Sequence, residues 1–156
     1  MISPSSLAAA LAALFSIQGV LMFWDEWGYH RTRGLGAWER WGHPVDSIIY
    51  AAALVLPGFA PPRPGSVQLY LLLAALSCLV ITKDEWVHTK ECAAGEHWVH
   101  ALLFIVHPLV LTAAGLLWLE GEALFARRLL PFSIGAFALY QIVYWLPRRA
   151  PARARI

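Results

Sequence analysis

The chain has 156 residues, 59% of them hydrophobic, and a mean hydropathy of +0.57. This composition is too apolar for an ordinary soluble domain, and the length suits one membrane domain over residues 1–156. The formal net charge is only +2, and the basic residues lie in loops and at the C-terminus rather than among aromatic side chains, which argues against nucleic acid as a partner.

Five apolar segments are long enough to cross a hydrocarbon layer of roughly 30 Å, which takes about 20 helical residues. They lie near residues 6–25, 44–60, 67–86, 98–119 and 129–147. The sequence therefore predicts an all-α integral membrane protein with five transmembrane helices. The first segment lacks the preceding basic residues of a secretory signal, so we expect it to be retained.

Two polar segments, each placed between apolar segments, repeat one another. The first copy contains Asp25-Glu26-Trp27 with His30, followed by Glu39-x-Trp41-x-His43. The second copy contains Asp84-Glu85-Trp86 with His88, followed by Glu96-x-Trp98-x-His100. Each copy reads as two helices joined by a polar hairpin, with repeat A at about 6–60 and repeat B at about 67–120. We expect these four helices to form a pseudo-two-fold bundle, with the extra helix at about 129–147 packed outside it.

The basic residues predict the orientation in the membrane. Of the twelve Lys and Arg residues, only Arg63, Arg127 and Arg128 fall on the side opposite the two polar hairpins. By the positive-inside rule, the hairpin face and the C-terminus are cytoplasmic and the N-terminus is outside. The expected location is a bacterial inner membrane, with the lipid bilayer as the surrounding partner.

Carboxylates and imidazoles in the repeat are spaced four residues apart, which places each pair on one face of a helix. The predicted metal ligands are Glu26, His30, Glu39, His43, Asp84, His88, Glu96 and His100. Two neighbours stay open as alternatives: Asp25 in place of Glu26, and Glu85, three residues before His88, in place of Asp84.

Other polar residues are expected around these ligands. Asp46 follows His43 on the same face, where it can accept the second N–H of a ligand imidazole. His107, deeper in the fourth apolar segment, is either a further ligand or part of a substrate cavity. His97 corresponds to Arg40 in the first copy, which argues against a symmetric ligand role, and Gln18 extends the polar interior.

Eight candidate ligands exceed the four that a zinc ion usually takes, so the set suits two metal ions, iron first, with manganese and zinc as alternatives. The arrangement resembles that of the ferritin-like di-iron and di-manganese carboxylate proteins, in which Glu and Glu-x-x-His ligands project into a four-helix bundle. The resemblance covers the eight motif positions, and only Glu85 and His88 have the Glu-x-x-His spacing. The His-x-x-His-His boxes of membrane hydroxylases and desaturases do not occur.

The first functional hypothesis is a dinuclear metal protein, with iron as the first choice of metal, that acts as an oxidoreductase of the oxygenase or oxidase type on a lipid-soluble substrate with an electron donor. Glu39 and Glu96 are the expected bridging ligands. The alternatives are a metal-ion transporter or sensor, a zinc-dependent membrane hydrolase, and a structural metal site. A further alternative is a proton or cation path in which basic residues such as Arg33 neutralise the carboxylates. The sequence indicates no oligomeric state.

Overall fold

The computed structural model describes residues 3–85, 89 and 92–148, and within these ranges it contains five long helices and no strand. They are α1 (Pro4–Trp24), α2 (Ala37–Phe59), α3 (Pro64–Val80), α4 (Ala94–Leu119) and α5 (Leu124–Trp145). Helix α1 continues through a π-helical turn, Asp25–His30, and a last turn, Arg31–Arg33, and α3 ends in a 3-10 turn, Ile81–Asp84. The all-helical prediction is confirmed, and each apolar segment of the sequence coincides with one helix.

Three helical segments are long and apolar enough to cross a membrane: Pro4–Arg33, Pro64–Lys83 and Ala94–Leu119. Many of their large apolar side chains face outward, and Leu79, for example, is 69% exposed. Hydrocarbon is the solvent that suits such surfaces. Helices α2 and α5 have comparable lengths, 23 and 22 residues, but they carry more polar residues. Five spans and the orientation of the chain therefore stay predictions.

The turn between α1 and α2 fixes the position of the end of α1 relative to the start of α2. Gly34 has a φ of +76°, in the region that only glycine adopts without strain. The next residue, Leu35, is 1% exposed and anchors the turn in the protein. The polar residues at the end of α1 and the start of α2 are thereby brought to the same end of the bundle.

Helix α4 is the most buried of the three most apolar helices, because half of its apolar segment is buried, against 11% of the corresponding segments in α1 and α3. It packs chiefly against α1, while α2 packs against α3 and, most extensively, against α5. The fully buried core residues include Leu11, Ala53, Leu54, Val110, Ala114 and Leu117. A pseudo-two-fold axis between the predicted repeats would relate α1 to α3 and α2 to α4, so that the α1–α4 pair would correspond to the α3–α2 pair. This relation stays a prediction.

Small residues allow the helices to approach closely. A Cβ placed on Gly115 of α4 would lie 2.8 Å from Cε1 of Tyr70 on α3. The Tyr70 hydroxyl in turn donates a hydrogen bond to the carbonyl oxygen of Leu111, one turn earlier in α4. This is the close contact, secured by a hydrogen bond, that small residues provide between helices in membranes.

Candidate metal centre

Four buried side chains from the end of α1 and the start of α4 converge: Asp25, His30, Glu96 and His100. One ligand atom from each lies within 4.8 Å of the others. The two carboxylate oxygens of Asp25 lie 3.2 Å from Nε2 of His30 and 3.0 Å from Nε2 of His100. Oε1 of Glu96 is 3.6 Å from Nε2 of His30. Two carboxylates and two imidazoles in this arrangement can hold a metal ion.

The π-helical turn determines which acidic residue of α1 enters the cluster. Regular helical spacing pairs Glu26 with His30, four residues later. In the π-helical turn the backbone hydrogen bonds span five residues, and here Asp25, five residues before His30, faces Nε2 of that ring. In the regular helix α4, Glu96 and His100 keep the predicted spacing of four residues and both belong to the cluster.

Glu26 lies behind His30, on the opposite side of the ring. Its Oε2 is 3.6 Å from Nδ1 of His30. Trp145 donates its indole N–H to Oε1 and Oε2 of Glu26 at 3.0 and 3.2 Å, and the Tyr140 hydroxyl donates to Oε1. A carboxylate beside the second nitrogen of an imidazole fixes the tautomer and the orientation of the ring. Glu26 therefore leaves Nε2 of His30 facing the cluster.

Glu39 and Glu96, the expected bridging pair, lie side by side with the guanidinium of Arg33 between them. Nη2 of Arg33 is 2.7 Å from Oε1 of Glu39 and 2.8 Å from Oε1 of Glu96. Glu39 is completely buried and also accepts the backbone N–H of Gly36 at 3.2 Å. Burial alone would raise the pKa of Glu39, but the hydrogen bonds and charge of Arg33 outweigh it, and the pKa is lowered.

Two further predicted residues lie next to the cluster without joining it. The His43 ring stacks on the His30 ring, with 4.8 Å between centroids, and both rings face the same cavity. Asp46 also borders this cavity, but its carboxylate forms an ion pair with the ammonium group of Lys83 on the turn after α3. The expected contact of Asp46 with a ligand imidazole stays a prediction, and the described contact of its carboxylate is this ion pair.

The second copy of the repeat is placed only in part. Glu85 is exposed and His97 is half-buried, and both border a shallow surface pocket rather than the cluster. The side chain of Asp84 and the whole of His88 lie outside the described residues. The choice between Asp84 and Glu85 therefore stays open.

A cavity of about 110 Å³ extends from the cluster into the bundle. Polar residues of the cluster border its outer end, and its apolar lining comes from Met22, Leu103, Phe104 and Phe137. A cavity of about 150 Å³ is known to accept benzene, so this one is large enough for water molecules or a small apolar group. The candidate metal centre therefore opens toward an internal cavity that both apolar and polar side chains line.

At the inner end of this cavity, four helices each contribute one side chain to a buried polar network. Tyr50 donates to Oε1 of Gln18 at 2.9 Å, and Nε2 of Gln18 lies 3.1 Å from Nδ1 of His107. With Gln18 donating, Nδ1 of His107 accepts, and its Nε2–H donates to Ser77 at 2.9 Å. Both ring nitrogens of His107 are engaged, so in this structure it lines the cavity and does not face the cluster.

The residues that sequence reasoning missed lie on α5. Tyr140 and Trp145 hold Glu26, and Gln141 accepts a hydrogen bond from Ser47 at 2.8 Å inside the bundle. Aromatic residues near the end of a membrane helix usually form interfacial belts, so the two aromatic side chains carry no specific signal. Gln141 is a single amide in an apolar segment. Its presence could have indicated that α5 contributes a polar side chain to the interior of the bundle.

The comparisons with other proteins assign no family to this chain. No family model, no curated protein and no solved structure matches it. What the chain does is therefore argued from its own geometry, which provides a buried Asp, His, Glu, His cluster that can hold a metal ion, next to an internal cavity.

Proposed function

We propose that the chain is an integral membrane oxidoreductase that binds a dinuclear iron centre and acts on a lipid-soluble substrate. The observation that carries the proposal is the convergence of four buried ligand atoms from Asp25, His30, Glu96 and His100 at the mouth of an apolar cavity. Bound iron would supply one-electron chemistry and a position for dioxygen as the oxidant. The residues around the four ligand side chains would orient these side chains and separate the metal centre from bulk water.

The charge balance of the cluster supports a bound cation. Asp25 is 7% exposed and Glu96 is 2% exposed, at the ends of helices apolar enough to span a membrane. Buried carboxylates in such a place are costly, and they commonly mark functional sites. Glu96 shares the single positive charge of Arg33 with Glu39, so bound cations would supply the positive charge that balances the remaining carboxylates. Mixed carboxylate and imidazole ligands suit iron or manganese.

The orientation of Asp25 supports two ions rather than one. Its two oxygens face two different histidines, as in a carboxylate that bridges two metal ions. His43 borders the same cavity and offers a ligand for the second ion, after a rotation away from its stacked position. Asp84 and His88 complete the proposed set; the side chain of Asp84 and the whole of His88 lie outside the described residues.

The cavity supports a substrate that enters from the bilayer. Its apolar lining suits a hydrocarbon portion, while Gln141 and Ser47 provide hydrogen-bonding groups within the same cavity. Binding sites commonly combine an apolar lining with a few polar groups that orient the ligand. The substrate portion nearest the metal centre must be narrow, because the cavity measures only about 110 Å³.

Elemental analysis of protein purified without oxygen tests the proposal. We expect two iron ions per chain in the wild type, and a loss of both in the double variant Asp25→Asn with His100→Gln. The matched control is His97→Gln, which changes a half-buried histidine that borders the surface pocket, and it should retain both ions. Protein without stoichiometric metal would overturn the proposal, and a single zinc ion would favour a hydrolase instead.

A further inference from the structure

A row of aromatic rings leads from the surface of the protein to the carboxylate behind His30. We propose that Tyr140 in this row is a redox-active residue, which passes single electrons to the metal centre while Glu26 accepts its phenolic proton. This inference rests on the proposed function, because the metal centre is the electron acceptor. The inference adds to the proposed function a route by which electrons reach the metal centre, and it assigns a role to a residue on α5.

The proton has a defined acceptor. The Tyr140 hydroxyl donates its hydrogen bond to Oε1 of Glu26, a carboxylate that is only 2% exposed. Proton transfer requires this kind of contact between donor and acceptor. Oε2 of the same carboxylate is 3.6 Å from Nδ1 of His30. Two polar contacts therefore separate the phenol oxygen of Tyr140 from an imidazole of the candidate metal centre.

The electron has a path of rings in van der Waals contact. The Phe23 and Trp27 rings stack with 4.2 Å between centroids, and the Trp27 and Tyr140 rings stack at 5.3 Å. Phe23 is 57% exposed and Trp27 is 36% exposed, so a donor at the surface can approach this part of the row. Tyr140 is the ring of this row whose hydroxyl donates to Glu26, and it also stacks on Tyr144 with 5.4 Å between centroids.

Arg31 holds the phenol in this position. Its Nε and Nη2 donate to the Tyr140 oxygen at 3.2 and 3.1 Å, and its guanidinium lies 4.7 Å from the centroid of the Trp27 ring. Arginine stacks on aromatic rings in this way while it keeps its hydrogen bonds. The oxygen of Tyr140 can still accept both hydrogen bonds after it loses its proton, so the ring stays in place for the return of the proton.

The step is balanced in electrons and protons. With oxidised iron bound as the one-electron acceptor, Tyr140 would give up one electron, and the proton of its O–H bond would move to Glu26. The products are a neutral phenoxyl radical and a protonated carboxyl group. A one-electron donor at the membrane surface then reduces the radical through Trp27, and Glu26 returns the proton.

Electron paramagnetic resonance after light-driven oxidation by a soluble photosensitiser tests this inference with and without iron. In metal-free protein we expect a tyrosyl radical in the wild type, with a hyperfine pattern that collapses when ring-deuterated tyrosine is incorporated. Tyr140→Phe should abolish this signal. Glu26→Gln, which removes the proton acceptor, should lower its yield. Tyr29→Phe is the matched control, because Tyr29 is outside the row, and it should retain the signal.

Iron-loaded protein completes the test. Rapid mixing of the reduced iron form with dioxygen should give the same radical in the wild type and none in Tyr140→Phe at equal iron content. A radical of equal yield in Tyr140→Phe, with or without iron, would overturn the relay and leave the proposed function standing. Wild-type protein that binds no stoichiometric iron would overturn the proposed function, and with it the acceptor that the relay requires.

Discussion

Arg33 donates through both terminal nitrogens to Glu39, at 2.7 and 3.1 Å, in a pair that joins the end of α1 to the first turn of α2. The same guanidinium reaches Glu96 on α4 at 2.8 Å. Two buried carboxylates from two helices therefore share one cation. Removing one partner of a buried ion pair is strongly destabilising, because the other charge stays buried without compensation.

We expect Arg33→Met to lower the free energy of unfolding by about 3–5 kcal/mol. Adding Glu39→Gln should restore part of this loss, since it removes one of the uncompensated charges. Unfolding in sodium dodecyl sulfate measures both effects, with exposed Arg63→Met as the control that changes stability by less than about 0.5 kcal/mol. Strictly additive effects of the two substitutions would contradict the pairing.

Glu26→Gln should weaken metal binding while the ligands themselves are unchanged. The amide cannot hold Nδ1 of His30 as a carboxylate does, so we expect the affinity for ferrous iron to fall about 10–100-fold. Competition with a chromogenic chelator measures this change. Glu120→Gln, an exposed residue at the end of α4, is the control and should bind iron like the wild type. Equal affinity in both variants would show that Glu26 does not position His30.

Alanine substitutions at two helical glycines separate the effect of close helix packing on stability from the effect of helix propensity. Gly115→Ala should destabilise the protein by about 1–3 kcal/mol, because the new methyl group meets the Tyr70 ring, which is tied to α4 by a hydrogen bond. A Cβ placed on Gly135 in α5 has nothing within 4 Å, so Gly135→Ala should be neutral or stabilising by up to about 1 kcal/mol. Thermal unfolding in the same detergent compares the two, and a reversed order of stability would refute the packing of α3 on α4.

The buried network around His107 should contribute measurably to stability. Gln18→Leu leaves the Tyr50 hydroxyl and Nδ1 of His107 without their hydrogen bonds, and we expect a loss of roughly 1–3 kcal/mol. Ser16→Ala, which removes an exposed hydroxyl two residues earlier in α1, should change little. If Gln18→Leu is as stable as Ser16→Ala in unfolding by sodium dodecyl sulfate, the network makes no net contribution.

The sequence predicts the helices well because the apolar segments are long and the breaks contain proline and glycine. It also predicts Glu96 and His100 as neighbours, since α4 is a regular helix with their spacing of four residues. The sequence left the choice between Asp25 and Glu26 open, and it could not be made without the structure, because a π-helical turn changes which side chains share a face. Such turns depend on tertiary contacts rather than on local sequence.

The contacts around the candidate metal centre could not be predicted from the sequence either. Tyr140 and Trp145 meet Glu26 across 114 and 119 residues of chain, so no local pattern connects them. The sequence offered Arg33 as a cation that neutralises carboxylates, but spacing alone cannot distinguish a carboxylate paired with a guanidinium from one that binds metal. Long-range packing decides both questions.

The hydrogen bonds from α5 to Glu26 also set an order for the assembly of the protein. Helices enter the membrane as the chain is synthesised, from the N-terminus onward. Asp25, His30, Glu96 and His100 are all made before Leu124, the first residue of α5. Yet the carboxylate that orients His30 gains its partners Tyr140 and Trp145 only when this last helix docks on α2. A nascent chain interrupted before α5 would carry every described member of the cluster and still lack the hydrogen bonds from Tyr140 and Trp145 that hold Glu26 behind His30.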